Sequence, residues 1–155
     1  MRDSLLNTII ISRADTNQLP PLKRFFKAHG FRPQAAKSDA VYMARQNQSI
    51  IGALRLCPYN NSWLLRSMCI REDYRRQGLG HFMLSSIDAE LQSKQCYCFP
   101  HNYLENFYMR AGFSLIDSVQ ADAVIAKLFN NYINQGRKII LMQYLMPAKS
   151  NALTD

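Results

Sequence analysis

The sequence contains no apolar run near the roughly 18 residues a membrane-crossing helix requires, so no membrane partner is expected. The start, "MRDSLLNTIIISRAD", is interrupted by Asp3 and Asn7 and shows no small-residue cleavage site, and it reads as a first strand rather than a signal peptide. Cysteine is scarce, with four residues at 57, 69, 96 and 98, each inside an apolar segment. With no export signal, the expectation is a cytoplasmic location and free, buried thiols, not a disulfide framework. Cys96, Cys98 and His101 form C-x-C-x-x-H, which is not a usual zinc spacing and lacks a second cysteine pair, so no metal is expected. Long blocks of like charge are also missing. The 19 Lys and Arg against 11 Asp and Glu leave a net charge of +8, but the positives are scattered in ones and twos. Such a surface attracts an acidic protein or a phosphorylated cofactor; without a basic tail, nucleic acid is not the expected partner.

The apolar pattern that is present alternates strand and helix. "NTIIIS" (7–12) reads as a strand. Asp15 and Thr16 are caps for a helix whose first turn takes Pro20 and Pro21, whose face carries Leu22, Phe25 and Phe26, and which ends at Gly30. Three strands follow, at 40–46, 49–57 and 63–70, with turns at Asn47-Gln48 and at 58–62, an antiparallel meander. Then come a helix at 81–94 with Leu84, Ile87 and Leu91 on one face, a strand at 95–99, a helix at 102–112, a strand at 113–119, a helix at 121–136 and a strand at 137–146. The fold class is mixed α/β (α+β), in one domain spanning 1–155 with a core at 7–146 and a polar tail at 147–155.

Glycine is sparse, with six in the chain, yet two stand one residue apart in "REDYRRQGLGHFML" (71–84). A strand entering a helix through such a turn exposes the first helical N–H groups, which have no intrahelical acceptor. With the helix dipole they make an anion site suited to a pyrophosphate. Glycine permits positive φ and lets phosphate oxygens approach the backbone. Arg75 and Arg76 add mobile positive charge at the rim. The dinucleotide fingerprint fails because residue 83 is Met, and no lysine follows to complete a P-loop.

The pattern that does fit is R-x-x-G-x-G, Arg75 to Gly80, followed some thirty residues later by "NFYMRAGF" (106–113). In these two segments, and in element order over residues 40–119, the chain resembles the GNAT superfamily of acetyl-CoA-dependent N-acetyltransferases. The resemblance implies a central, mostly antiparallel twisted sheet of about six or seven strands flanked by helices. It implies acetyl-CoA as co-substrate, bound by Arg75, Arg76, Gln77, Gly78, Leu79, Gly80, His81 and Asn106, with the pantetheine arm along Met68, Cys69 and Ile70. It also implies transfer of an acetyl group to a primary amine of a small molecule or protein by direct attack in a ternary complex, with Tyr108 serving the departing sulfur. The expected assembly is a monomer or homodimer.

Three chemical requirements follow. The amine must be neutral, yet a lysine-like amine at pH 7 is neutral in only about one molecule in 2,500, so a base or water chain is needed. The oxyanion needs a donor, for which the resemblance offers a backbone N–H of Met68-Cys69-Ile70. The thiolate needs a hydrogen bond. Many relatives carry a glutamate on the strand before the loop, whereas "WLLRSMCI" has no carboxylate, leaving His101, Glu105 or water as candidate bases. Segment 26–39, which the resemblance makes the acceptor wall, is basic through Lys27, Arg32 and Lys37 and argues against a polycationic acceptor. The missing glutamate keeps a second expectation open, a catalytically weak domain that binds acyl-CoA as a sensor or partner-binding module.

Overall fold

The structure, a computed structural model, describes residues 5–32 and 38–145. Seven strands are present: β1 (Ile9–Arg13), β2 (Ala40–Gln46), β3 (Ser49–Tyr59), β4 (Ser62–Ile70), β5 (Gln95–Cys98), β6 (Phe113–Leu115) and β7 (Met142–Tyr144). Among the described residues they are accompanied by helices α1 (Leu19–Ala28), α2 (Leu79–Ser86), α3 (Asp88–Gln92), α4 (Glu105–Arg110) and α5 (Ala123–Asn134). The strands form one mostly antiparallel sheet in the order β1-β2-β3-β4-β5-β7-β6. Both the mixed class and the strand count agree with the sequence reading; the tail at 147–155 lies outside the described residues. No helix among the described residues is long and apolar enough to cross a membrane.

The chain packs as two compact units, one of residues 1–57 and 65–87, the other of 58–64 and 88–155. In the first, β1 pairs antiparallel with β2 and β2 with β3, and the hairpin closes at Asn47 with φ of 57°. Alternation along the strands gives this sheet two apolar faces. On one face, Leu22 and Phe26 of α1 pack with Val41, Met43, Ala53 and Cys69. Asp15 starts that segment, accepting from the Asn17 N–H at 3.0 Å while the Gln18 side chain accepts from the Asp15 N–H at 3.0 Å. Pro20 and Pro21 sit in the first turn of α1, where no hydrogen bond is lost.

The opposite face receives α2. A Cβ on Gly52 would lie 2.9 Å from Met83 Sδ, 3.1 Å from Ile70 Cδ1 and 3.5 Å from Ala44 Cβ. Glycine is therefore what lets α2 settle onto β3, beside a register shift between Ala44 and Arg45.

In the second unit, Leu64, Tyr97, Ile125 and Leu141 form the core, with Phe99 and Phe129 packed against it. The Tyr97 hydroxyl is satisfied on both sides, accepting from the Asp122 N–H at 3.1 Å and donating to Gln95 Oε1 at 2.7 Å. Asp122 in turn caps α5 through the Val124 N–H and accepts from the Ser62 hydroxyl at 2.8 Å.

Three expected elements are shorter or broken. The 81–94 helix divides at Ile87, because the Ser85 and Ser86 hydroxyls bond the Phe82 carbonyl at 3.1 and 2.6 Å and compete with the backbone ladder. The 113–119 strand stops at Leu115, because Asp117 and Gln120 close a capping box around the 3-10 turn Ser118–Gln120. The final strand is regular only over Met142–Tyr144; before it, Ile139 makes a single bridge to His101 and the Ile140 N–H donates to the Pro100 carbonyl at 2.9 Å.

Two predictions follow from this packing. Gly52→Val should destabilise the protein by about 1–3 kcal/mol, seen as a lower urea midpoint, because the added side chain would press on the wholly buried Met83 and on Ile70 and Ala44 at once. All four cysteines are free and buried; burial pushes the Cys57 thiol up to about 11 and that of Cys69 up to about 12. A thiol in the unfolded chain ionises near 8.5. Their contribution is thus fully present below about pH 8.5 and is lost as pH rises towards 11–12. The fall in Tm between about pH 8 and 10 should be shallower in a Cys57→Ala/Cys69→Ala variant.

Candidate functional site

The glycine loop belongs to the first unit and begins where β4 ends. Glu72–Tyr74 form a 3-10 turn, and the chain then passes through Arg76 at φ of 63° and Gly78 at φ of 86°. Both lie in the left-handed region, where glycine is at ease and arginine is not. Gly78 is the N-cap of α2, and the helical ladder begins with the Phe82 N–H donating to the Gly78 carbonyl at 3.0 Å. The N–H groups of Leu79 and Gly80 precede that first bond and have no acceptor within the helix. Leu79 and Gly80 are buried, so the turn is seated on the unit below it, while Arg75 and Arg76 remain exposed.

The loop is tied down more firmly than its composition suggests. Arg71 donates twice to Asp73, at 2.8 and 3.0 Å, and its guanidinium lies 4.8 Å from the Tyr74 ring centroid. The Arg71 N–H donates to the Ile51 carbonyl at 2.8 Å, and the Tyr74 hydroxyl donates to Gln46 Oε1. Gln77 donates to the Asp73 carbonyl at 3.0 Å. Arg75 is not the mobile rim charge the sequence suggested, because its Nε donates to the Ile70 carbonyl at 2.9 Å and fastens the loop to the strand end. Arg76 is likewise exposed, on a left-handed backbone.

On β4, Cys69 is buried and Met68 and Ile70 are half-buried. The preceding residue, Ser67, has φ of 57°, a left-handed conformation inside a strand. Nothing in "WLLRSMCI" announced it, since serine is not among the residues that favour this region. The Ser67 hydroxyl accepts from Arg55 Nε at 3.3 Å, and Arg55 donates to Asp39 at 2.9 Å in a nearly buried ion pair. Arg55 also lines a shallow depression together with Leu19, Leu22, Lys23, Phe26, Arg32 and Val41. This depression lies against part of the segment expected to face an acceptor; Lys37 of that segment lies outside the described residues.

The remaining candidates belong to the second unit. Tyr108 of α4 is 7% exposed, held edge-on between Phe107 at 4.9 Å and Phe113 at 5.6 Å. Burial, reinforced by the Cys98 thiol, pushes its phenol well above the ordinary tyrosine value. Asn106 is exposed on the same helix and Glu105 is half-buried at its start. His101 is exposed, its ring stacked on Tyr103 at 5.4 Å. Asp73 is a poor candidate base, because the hydrogen bond from Arg71 holds its carboxyl below the usual range.

Comparison with known proteins places this geometry. The family described as "Acetyltransferase (GNAT) domain" matches residues 37–115, just over half of the chain. No curated protein sequence matches it. Among solved structures, N-acetylglutamate synthase from Neisseria gonorrhoeae complexed with coenzyme A and L-arginine superposes with a TM-score of 0.69 at 9% identity, over 90% of this chain and 33% of the synthase. The chain therefore spans about a third of that enzyme's length. Ribosomal-protein-S18-alanine N-acetyltransferase from Escherichia coli gives 0.64 at 18% identity, over 90% of this chain and 96% of its own. A GNAT family acetyltransferase from Elizabethkingia anophelis with acetyl-CoA bound gives 0.55 at 20% identity, over 71% and 78%. At these identities the structural likeness is one of fold, and the family follows from the domain match: this chain belongs to the GNAT acetyltransferase family.

Proposed function

We propose that the chain is an N-acetyltransferase that carries an acetyl group from acetyl-CoA to a primary amine of a small molecule or protein, by direct attack in a ternary complex. The observation that carries this reading is the left-handed Gly78 turn, which opens α2 with N–H groups that have no acceptor in the helix. Coenzyme A or acetyl-CoA is bound in the solved Neisseria and Elizabethkingia proteins, which supports the same co-substrate here. In the proposed assignment the pyrophosphate sits on the amides of Gly78, Leu79, Gly80 and His81, with Arg76 and Gln77 at its edge. Arg75 acts by holding the loop to Ile70. The backbone of Met68, Cys69 and Ile70 takes the pantetheine arm and the oxyanion. Asn106 is assigned to the coenzyme as well.

In this scheme the amine nitrogen attacks the thioester carbonyl, the C–S bond breaks, and the electron pair leaves on sulfur. Tyr108 is assigned to that sulfur. Its raised pKa favours a neutral hydroxyl that donates a hydrogen bond over a group that gives up its proton, since full transfer to the departing thiolate is uphill by about 2 kcal/mol even for an unperturbed tyrosine. The proton lost by the amine goes to water, His101 or Glu105. The absence of a carboxylate from β4 favours a second reading, a weakly catalytic domain that binds acyl-CoA as a sensor.

Two measurements test the proposal. Acetyl-CoA at about 100 times its Kd should add about 2.7 kcal/mol of stability, a rise in Tm of about 5–11 °C. Gly78→Val, if still cooperatively folded, should lose that rise; a folded wild-type protein with no rise would remove both readings. Tyr108→Phe should lower turnover at least about tenfold with coenzyme affinity nearly unchanged, since one hydrogen bond to a developing charge contributes about 1.5–3 kcal/mol. Unchanged turnover would remove Tyr108 from the chemistry.

A further inference from the structure

We propose that the second unit carries a binding surface for single-stranded nucleic acid, built on the stacked rings of Tyr103 and His101 beside Arg137 and Lys138. Tyr103 is 77% exposed, which is unusual for a large aromatic ring, yet it is held in place. Its plane lies within 4° of the His101 ring at a centroid separation of 5.4 Å. The pair thus presents two parallel rings, and the exposure of Tyr103 leaves ring surface available for a further ring to stack.

The neighbouring segment supplies cations. His101 bridges antiparallel to Ile139, and the Asn102 N–H donates to the Lys138 carbonyl at 3.4 Å, so Lys138 lies alongside Asn102. Gly136, at φ of 88°, turns the chain out of α5, and the Arg137 N–H donates back to the Tyr132 carbonyl at 3.2 Å. The Arg137 guanidinium then lies 4.1 Å from the Tyr132 ring centroid, and Tyr132 packs on Phe99 at 6.0 Å. Phe99 follows the end of β5, His101 bridges to Ile139, and Tyr103 lies in the 3-10 turn Asn102–Leu104, so the return segment carrying Arg137 and Lys138 runs beside this aromatic stretch. Among the described residues, the ion pairs are Arg55–Asp39 and Arg71–Asp73, and neither involves Arg137 or Lys138. The sequence from 123 to 154 contains neither Asp nor Glu, and the one acid close to the platform in sequence is Glu105.

Aromatic faces for bases next to cations for phosphates are the two components of single-strand recognition. A duplex keeps its bases stacked on one another and can use only the cations. An acidic protein could likewise use the charge but not the open ring face. The sequence offered no basic block, because Arg137 and Lys138 come to the aromatic stretch only through the return of residues 137–140.

The test is fluorescence anisotropy with a labelled mixed-sequence strand of about 12 nucleotides, as RNA, as DNA and as a duplex, with polyglutamate as competitor. A single strand should bind at least about tenfold more tightly than the duplex in about 100 mM salt and resist polyglutamate. A preference between the RNA and DNA arms identifies the source of the strand. Tyr103→Ala should weaken single-strand binding about five- to 150-fold, the loss of one stacked base, while Tyr103→Phe retains it. Arg137→Gln with Lys138→Gln should lower the salt slope by about 1.4, two contacts at about 0.7 each. The acetyl-CoA-induced rise in Tm should be the same in all three variants, which separates this surface from the coenzyme reading. No single-strand binding at about 50 mM salt would overturn the proposal. Equal binding of duplex, polyglutamate and strand that ignores Tyr103→Ala would also overturn it, in favour of a plain anionic or acidic-protein contact.

Discussion

The close approach of α2 to β3 at Gly52 is the constraint on which the first unit depends. With hydrogen in place of a side chain, Met83 and Ile70 fill the space directly above the strand. That contact sets where α2 begins and therefore where Gly78 must reverse the chain. The left-handed turn, the ties from Arg71 to Asp73 and from Arg75 to Ile70, and the direction of the first helical amides all follow from it. An anion site made of backbone N–H groups is only as well formed as the packing beneath it, because those groups cannot adjust one at a time.

Electrostatics in the second unit turn on burial. Tyr108 sits between two aromatic rings with the Cys98 thiol behind it, and all of them oppose ionisation. A hydroxyl in such surroundings holds its proton and offers it as a hydrogen bond, which suits a role at a developing thiolate better than at a base. The carboxylate of Asp73 shows the reverse case, committed to Arg71 and held in its charged form. The groups with strongly perturbed environments are thus poor proton acceptors, and this leaves the proposed transfer to draw its base from solvent or from the exposed His101 and half-buried Glu105.

Much of the architecture was legible in the chain itself. The periodicity of Leu22 and Phe26, the Asn47 turn and the run of three strands all appear at the expected places, because local propensity and core-facing pattern agree there. Disagreements arise where short-range hydrogen bonds outcompete pattern. Ser85 and Ser86 break the long helix, and Asp117 with Gln120 stop a strand that hydrophobicity alone would continue. The loop's turn into a helix was readable from two glycines and their place between strand and helix. Its fastening was not, since Ile70, Ile51 and Gln46 are partners that only folding brings to it.

By itself, the sequence determined the element order, the apolar faces, the glycine turn and the absence of a carboxylate from β4. These are local properties, fixed by spacing and residue chemistry within a few positions. Tertiary structure alone decided that Ser67 takes a left-handed conformation, that Arg75 is a fastener rather than a free charge, and that Tyr108 is buried against Cys98. It also decided that the Lys138 backbone meets Asn102, which stands between the paired rings of His101 and Tyr103 in sequence. Each of these depends on contacts between residues far apart in the chain, and a linear pattern carries no record of which distant backbone carbonyl or ring a side chain will meet.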